Sequence, residues 1–173
     1  MVIEDVSIEN VAGPGIIDTR TTGGNLVITN TLARNNTGTG VVINAASGSA
    51  PINAVLIGVH SDHNGFGLAA DSAANVVARH SSFSDNTNPG VDAESGAGGA
   101  RAVLLDDCIV SNNPTGFEQV GSGSIRAANS DFAFNGVLGI GTLQSFTNSR
   151  FVNNGAGGTI SPIGATSNPT GQQ

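Results

Sequence analysis

Seven times along this chain an Asn is followed, a few residues later, by a Gly and then usually by an apolar side chain. The Asn positions are Asn10, Asn36, Asn64, Asn86, Asn113, Asn135 and Asn154, and the partner glycines are Gly15, Gly40, Gly67, Gly90, Gly116, Gly139 and Gly158. Successive Asn lie 26, 28, 22, 27, 22 and 19 residues apart. Such a repeat is long enough for one turn of a solenoid and too short to bury a core by itself. A chain built this way closes its core only by stacking each repeat on the next.

The columns that stack can be read backwards from each repeat Asn. Three residues before it stand Ala33, Ser61, Phe83, Val110, Phe132 and Phe151; five before it, Thr31, Val59, Ser81, Cys108, Ser130 and Ser149. Eight before it stand Ile28, Leu56, Ala78, Leu105, Ala127 and Phe146, and two further back Leu26, Ala54, Val76, Val103, Ile125 and Gln144. These columns are apolar or small and sit at even separations within each short run, the period of a strand with one face inward. After the repeat Gly comes a further inward column of Ile16, Val41, Leu68, Val91, Phe117, Ile140 and Thr159. Each repeat therefore holds about three short strands, and the coils stack at about 4.8 Å. The prediction is an all-β, single-stranded solenoid of about seven coils with three short parallel sheets over residues 1–164. Residues 165–173 read as a flexible tail.

A second polar column, six before the repeat Asn, holds Asn30, His80, Asp107, Asn129 and Asn148. Asn and Asp tolerate left-handed backbone and can bond to the turns above and below, so both columns read as turn-stabilising ladders. The segments Asn30–Asn36, Asn129–Asn135 and Asn148–Asn154 share one template: Asn, hydroxyl, any residue, apolar, two of any kind, Asn. This template resembles the right-handed parallel β-helix repeat of the pectate-lyase-like superfamily, and more narrowly small secreted bacterial β-helix proteins. The resemblance implies architecture and says little of activity. Coil 1 departs from the template, since Ser7 falls where an apolar residue belongs; that coil is either shifted by one residue or frayed.

Composition narrows the function classes. Charged residues make up 11% of the chain, net charge is −7, the six cationic side chains are all Arg, and there is no Trp or Tyr. That balance opposes phosphate binding and base stacking, so no nucleic-acid partner is expected. No apolar run reaches membrane length, so no membrane insertion is expected. The single Cys108 rules out an internal disulfide and reads as a small buried core thiol. Met1 runs straight into Val-Ile-Glu-Asp-Val, already part of a repeat, so the chain reads as an excised piece of a longer one.

The enzymes that the resemblance brings to mind have signatures to be sought. Of the polygalacturonase elements only an Asp pair is present, Asp106-Asp107; Asp107 falls in the turn column, and Asp106 stacks beside Arg79. His60, Asp62 and His63 form a His cluster with His80 a coil later, but an odd spacing sends His60 and His63 to opposite faces of a strand. The better candidate is acidic. Asp92 and Glu118 stand two residues after their repeat Gly, and Asp71 and Glu94 four after it. All four carboxylates should share one outer face of adjacent coils about 5 Å apart. The plain reading is a solvated acidic face; the functional one makes Asp71, Asp92, Glu94 and Glu118 ligands of Ca²⁺, which takes several hard oxygens. Calcium-dependent lyases of the resembled fold pair stacked carboxylates with an Arg base, and Arg101 follows the glycine-rich turn after Glu94.

The expected function is therefore a non-enzymatic, secreted or surface-associated β-helix scaffold or interaction module, with a protein or polysaccharide partner or end-to-end self-association. No cofactor is required. The rival expectation is a Ca²⁺-dependent polysaccharide lyase or a glycan-binding module.

Overall fold

The computed structural model describes residues 1–45, 48–94 and 101–163. The proposed tail, 165–173, lies outside the described residues. Among those described, regular structure is entirely strand, and every pairing is parallel. Strands of three to six residues wind into three sheets of eight, seven and six strands rather than a uniform seven coils. Each strand pairs with its counterpart one coil away, so neighbours in a sheet are three elements apart in sequence.

Alternation within the strands builds the core. In the first sheet Leu26, Ala54, Val76, Val103, Ile125 and Leu143 form one fully or nearly fully buried column, and Ile28, Leu56, Ala78, Leu105 and Ala127 form another. Phe83, Val110 and Phe132 continue it in the second sheet, and Val41, Leu68, Val91 and Phe117 in the third. Phe117 meets Phe132 edge to face at 6.2 Å, and Phe132 stacks on Phe151 at 5.5 Å.

The Asn repeat is a continuous buried ladder. The backbone N–H of Asn36, Asn64, Asn86, Asn113 and Asn135 each donates to Oδ1 of the ladder Asn one coil on, at 2.9–3.1 Å. Each ladder Asn also donates from Nδ2 to a backbone carbonyl of the preceding coil, as Asn113 does to Phe83 at 3.0 Å. The Gly of the motif makes room for this. An added Cβ would lie 2.7 Å from Asn64 Nδ2 at Gly40, 3.0 Å from Asn86 Nδ2 at Gly67 and 2.6 Å from Asn113 Nδ2 at Gly90. Asn of one coil and Gly of the coil before are thus one packing unit.

Four assignments change. In coil 1 the register is shifted by one residue: Ile8 pairs with Ala33, Asn10 has φ 60° like Asn35 at φ 54°, and Val11 N–H donates to Asn36 Oδ1. Asn10 is therefore the left-handed turn residue before the ladder, and Val11 occupies the rung. In coil 6 Gly139 pairs with Phe117, and Ile140 turns outward, half exposed. The Phe117 ring fills the space an inward side chain would need, with a Cβ on Gly139 only 2.3 Å from it. Thr159 pairs with Thr142 in the first sheet instead of extending the third. In coil 7 Leu143 and Ser145, in register with Ile125 and Ala127, point inward in place of Gln144 and Phe146.

The second polar column behaves as turn chemistry requires: Asn30, His80, Asp107 and Asn129 have φ between 46° and 54°. In coil 7 the left-handed residue is Thr147, at φ 65°, one position before Asn148. A further ladder went unread in the sequence. Ser81 Oγ donates to Arg79 O and accepts from Val59 N–H, and Ser130 Oγ donates to Ala128 O and accepts from Cys108 N–H. The small column five before the Asn is a row of corner hydroxyls, with Cys108 buried in it.

Candidate functional site

The third sheet brings the four predicted carboxylates onto one face. Strand Val91–Glu94 buries Val91 and Ala93, so Asp92 and Glu94 turn outward. Asp92 stands directly opposite Glu118 of strand Thr115–Val120, and Val91 opposite Leu68 brings Glu94 beside Asp71 just past strand Leu68–Ala70. Asn44, Asp71, Ser72 and Glu94 line a shallow open depression there.

The face is not uniformly solvated. The outward column Ile17, Val42, Ala69, Asp92, Glu118, Ile140 is exposed at both ends, yet Val42, Ala69 and Asp92 are only 7%, 6% and 5% exposed. Asp92 Oδ1 is buried without a hydrogen-bond partner. Ionised, that oxygen would have lost water without gaining a hydrogen bond in exchange. Burial first, then the charges of Glu118, Asp71 and Glu94, push its carboxyl up to about 7, against a smaller pull from Arg101. Asp71 is raised too, by burial and then by Glu94.

Arg101 opens strand Arg101–Asp106 on the inward alternation and is 1% exposed. Its charge favours ionisation of both Asp71 and Asp92. No three His, Cys, Asp or Glu side chains among the described residues converge on a point that could hold a metal ion. The structure thus brings the quartet together on one face without forming a ligand shell.

The other candidates separate. Asp106 accepts from Asn129 Nδ2 at 2.9 Å and faces Arg79 at 3.7 Å, whereas Asp107 turns away to accept from His80 at 2.7 Å. The Asp pair therefore acts at two different corners. His63 occupies a left-handed turn, φ 57°, apart from the exposed His60 on its strand. Sequence reasoning missed what surrounds His60. Ser82 Oγ lies 3.1 Å from both oxygens of Asp62, to which it donates, and 2.9 Å from His60 Nδ1. Ser84 N–H donates to the same carboxylate at 2.9 Å. The register pairing of His60 with Ser82 was the available signal. The network is an exposed cross-strand brace, with Ser82 between acid and imidazole rather than activated by a base.

The two ends of the solenoid differ. At the N-terminal end Asp18 takes the place that Ile43 and Ala70 hold in the following coils, and it is 3% exposed. Arg20 folds onto it, with Nη2 at 2.7 Å and Nε at 2.9 Å from its oxygens, and holds its carboxyl below the usual carboxylate range. Apolar side chains are only partly buried at both ends, Ile3 and Ile8 at the first coil and Leu138, Phe151 and Ile160 at the last.

Comparison with curated proteins and with solved structures returns no match. A family model described as right handed beta helix region matches residues 1–132, the span that carries most of the Asn ladder and its three-sheet winding, and the chain belongs to that right-handed β-helix family.

Proposed function

We propose that this β-helix is a non-enzymatic scaffold, secreted or displayed at a surface, that engages its partner through the C-terminal end of the solenoid. The observation that carries this reading is the asymmetry of the two ends. The N-terminal end sets a buried ion pair, Asp18–Arg20, where further coils would need an apolar side chain, and Val11 where they would need a carboxamide. Both ends leave edge strands over half-covered apolar side chains, Ile3 and Ile8 at one and Leu138, Phe151 and Ile160 at the other, but at the C-terminal end the edge strands Arg150–Val152 and Thr159–Pro162 flank a carboxamide rung, Asn154, in place of a valine. Unpaired strand edges above apolar surface recruit partner strands. On this reading self-association joins C-terminal ends, because a head-to-tail contact would bring the last Asn rung against Val11.

Sedimentation velocity over a wide concentration range tests it. Wild type should associate, and Ile160→Glu, which places a charge on the last inward position of the first sheet, should sediment as a monomer. A wild-type monomer at every concentration overturns the self-association. The non-enzymatic part falls if any uronate polymer, with or without calcium, yields unsaturated products.

A further inference from the structure

The acidic face carries a second property, independent of how the ends dock. Asp92 is the one member of the quartet driven below the surface. Its Oδ1 has no partner, Glu118 stands opposite it one coil on, Glu94 is two residues along its own strand, and Asp71 approaches from the coil before. From the first sheet the charged group that reaches it is Arg101. Three negative groups and one positive thus face a carboxyl whose Oδ1 has no hydrogen-bond donor.

We propose that Asp92 is a proton-operated catch on the outer face of the third sheet: neutral, it stays buried between the coils, and its ionisation drives that face open. A carboxylate at this spot would sit in low dielectric beside like charges, and both effects favour the neutral form. The sign follows from linkage. The folded carboxyl titrates near 7 and the unfolded one near 3.8, so between those values the folded state binds the extra proton. Stability from this group is present at and below the unfolded value and is lost as pH rises through about 7. The quartet titrates as a coupled set, so the transition is a property of the group with Asp92 at its centre. The salt-bridged Asp18 and Glu9, both lowered, remain ionised from pH 5 to 8 and do not contribute to a change in that window.

The experiment is thermal unfolding of wild type, Asp92→Asn and Glu118→Gln from pH 5 to 8 in EDTA, with a parallel arm in millimolar CaCl₂. Wild type should gain about 5 °C or more in Tm on acidification from pH 8 to 5. Asp92→Asn should be the more stable protein at pH 8 and should lose most of that gain. Imidazoles in general titrate in this window, so the Asp92→Asn curve serves as the baseline that contains them. Glu118→Gln keeps Asp92 but removes the like charge opposite it; with weaker repulsion Asp92 ionises at lower pH in the folded protein, so the midpoint of the Tm loss shifts down in pH and the total loss shrinks. Proteolysis of native protein at pH 8 should be faster than at pH 5 for wild type and equal at both for Asp92→Asn. A wild-type Tm that does not rise on acidification, or an Asp92→Asn protein with the full wild-type dependence, overturns the proposal. So does stabilisation at pH 8 by calcium that Asp92→Asn abolishes, because the carboxylates would then be cation ligands rather than a proton site.

Discussion

Truncating one interior rung of the ladder tests the physics on which the whole fold depends. Asn113 is 2% exposed. Its Oδ1 accepts from Asn86 N–H at 2.9 Å and from Asn86 Nδ2 at 3.0 Å, and its Nδ2 donates to Phe83 O at 3.0 Å and Asn135 Oδ1 at 3.1 Å. In Asn113→Ala the Nδ2 of Asn86 keeps a bond to Ser61 O at 3.3 Å, but Asn86 N–H is left buried without its partner and Phe83 C=O loses the bond it accepts from the carboxamide. With roughly 1–3 kcal/mol for the orphaned N–H and about 1 kcal/mol for the bond lost at the carbonyl, the substitution should cost about 2–4 kcal/mol. The last rung supplies the contrast. Asn154 also receives two bonds from Asn135 and gives one to Phe132, but it is only partly buried, so water can replace them and Asn154→Ala should cost about 1 kcal/mol. Urea unfolding followed by far-ultraviolet circular dichroism measures both. A fall in m-value with Asn113→Ala would mean that the two halves of the solenoid unfold separately. Equal costs for the two variants, or a cost below about 1 kcal/mol at Asn113, would refute the reasoning that orphaned backbone groups set the penalty.

Two further outcomes are expected. Gly90→Ala should destabilise by roughly 1–3 kcal/mol because its Cβ would meet Asn113 Nδ2 at 2.6 Å and Val110 Cγ1 at 2.7 Å; in a double-mutant cycle with Asn113→Ala the cost should shrink, and strict additivity would show that the two positions are not one packing unit. Cys108, 2% exposed with burial pushing its thiol up to about 11, should not react with a disulfide reagent in the native protein at pH 8, whereas rapid labelling would contradict its place in the core.

Most of the architecture was legible because each residue type in the motif has one physical job. Only a carboxamide both accepts from one coil and donates to another, and only Gly leaves space for it, so their co-occurrence survives variable spacing. The errors arose where one residue type serves two neighbouring jobs. Asn stands both in the left-handed turn and on the rung in Asn35-Asn36, Asn112-Asn113 and Asn153-Asn154, so a lone Asn10 before Val11 could not be placed from spacing alone. Gly139 was read as a ladder glycine although it sits inward beneath the Phe117 ring. The quartet's shared face followed from alternation, but alternation gives only the side to which a residue points. The depth of Asp92 depends on what lies over the sheet, and no local pattern encodes it.

The ladder also has a direction, and that direction shapes how the solenoid can be extended. Each rung is completed by the side chain of the following coil: the amide of one Asn waits for the Oδ1 of the next. The glycine requirement runs the same way, since the Gly of one coil accommodates the Asn of the coil after it. At Gly15, Gly40, Gly67, Gly90 and Gly116 the following Asn lies 2.6–3.0 Å from the position of an added Cβ. The next member of that column is Leu138, whose carbonyl lies 2.5 Å from where a Cβ on Gly116 would be. There the pairing of small residue with carboxamide ends, and coil 7 follows with the shortest interval and a shifted register. A coil added at the C-terminal end can still complete Asn154 by bringing its own carboxamide. A coil added before Val11 gains no such bond from it, because the valine side chain can neither accept nor donate. Growth by one coil is therefore favoured at one end by the same side chains that hold the interior together.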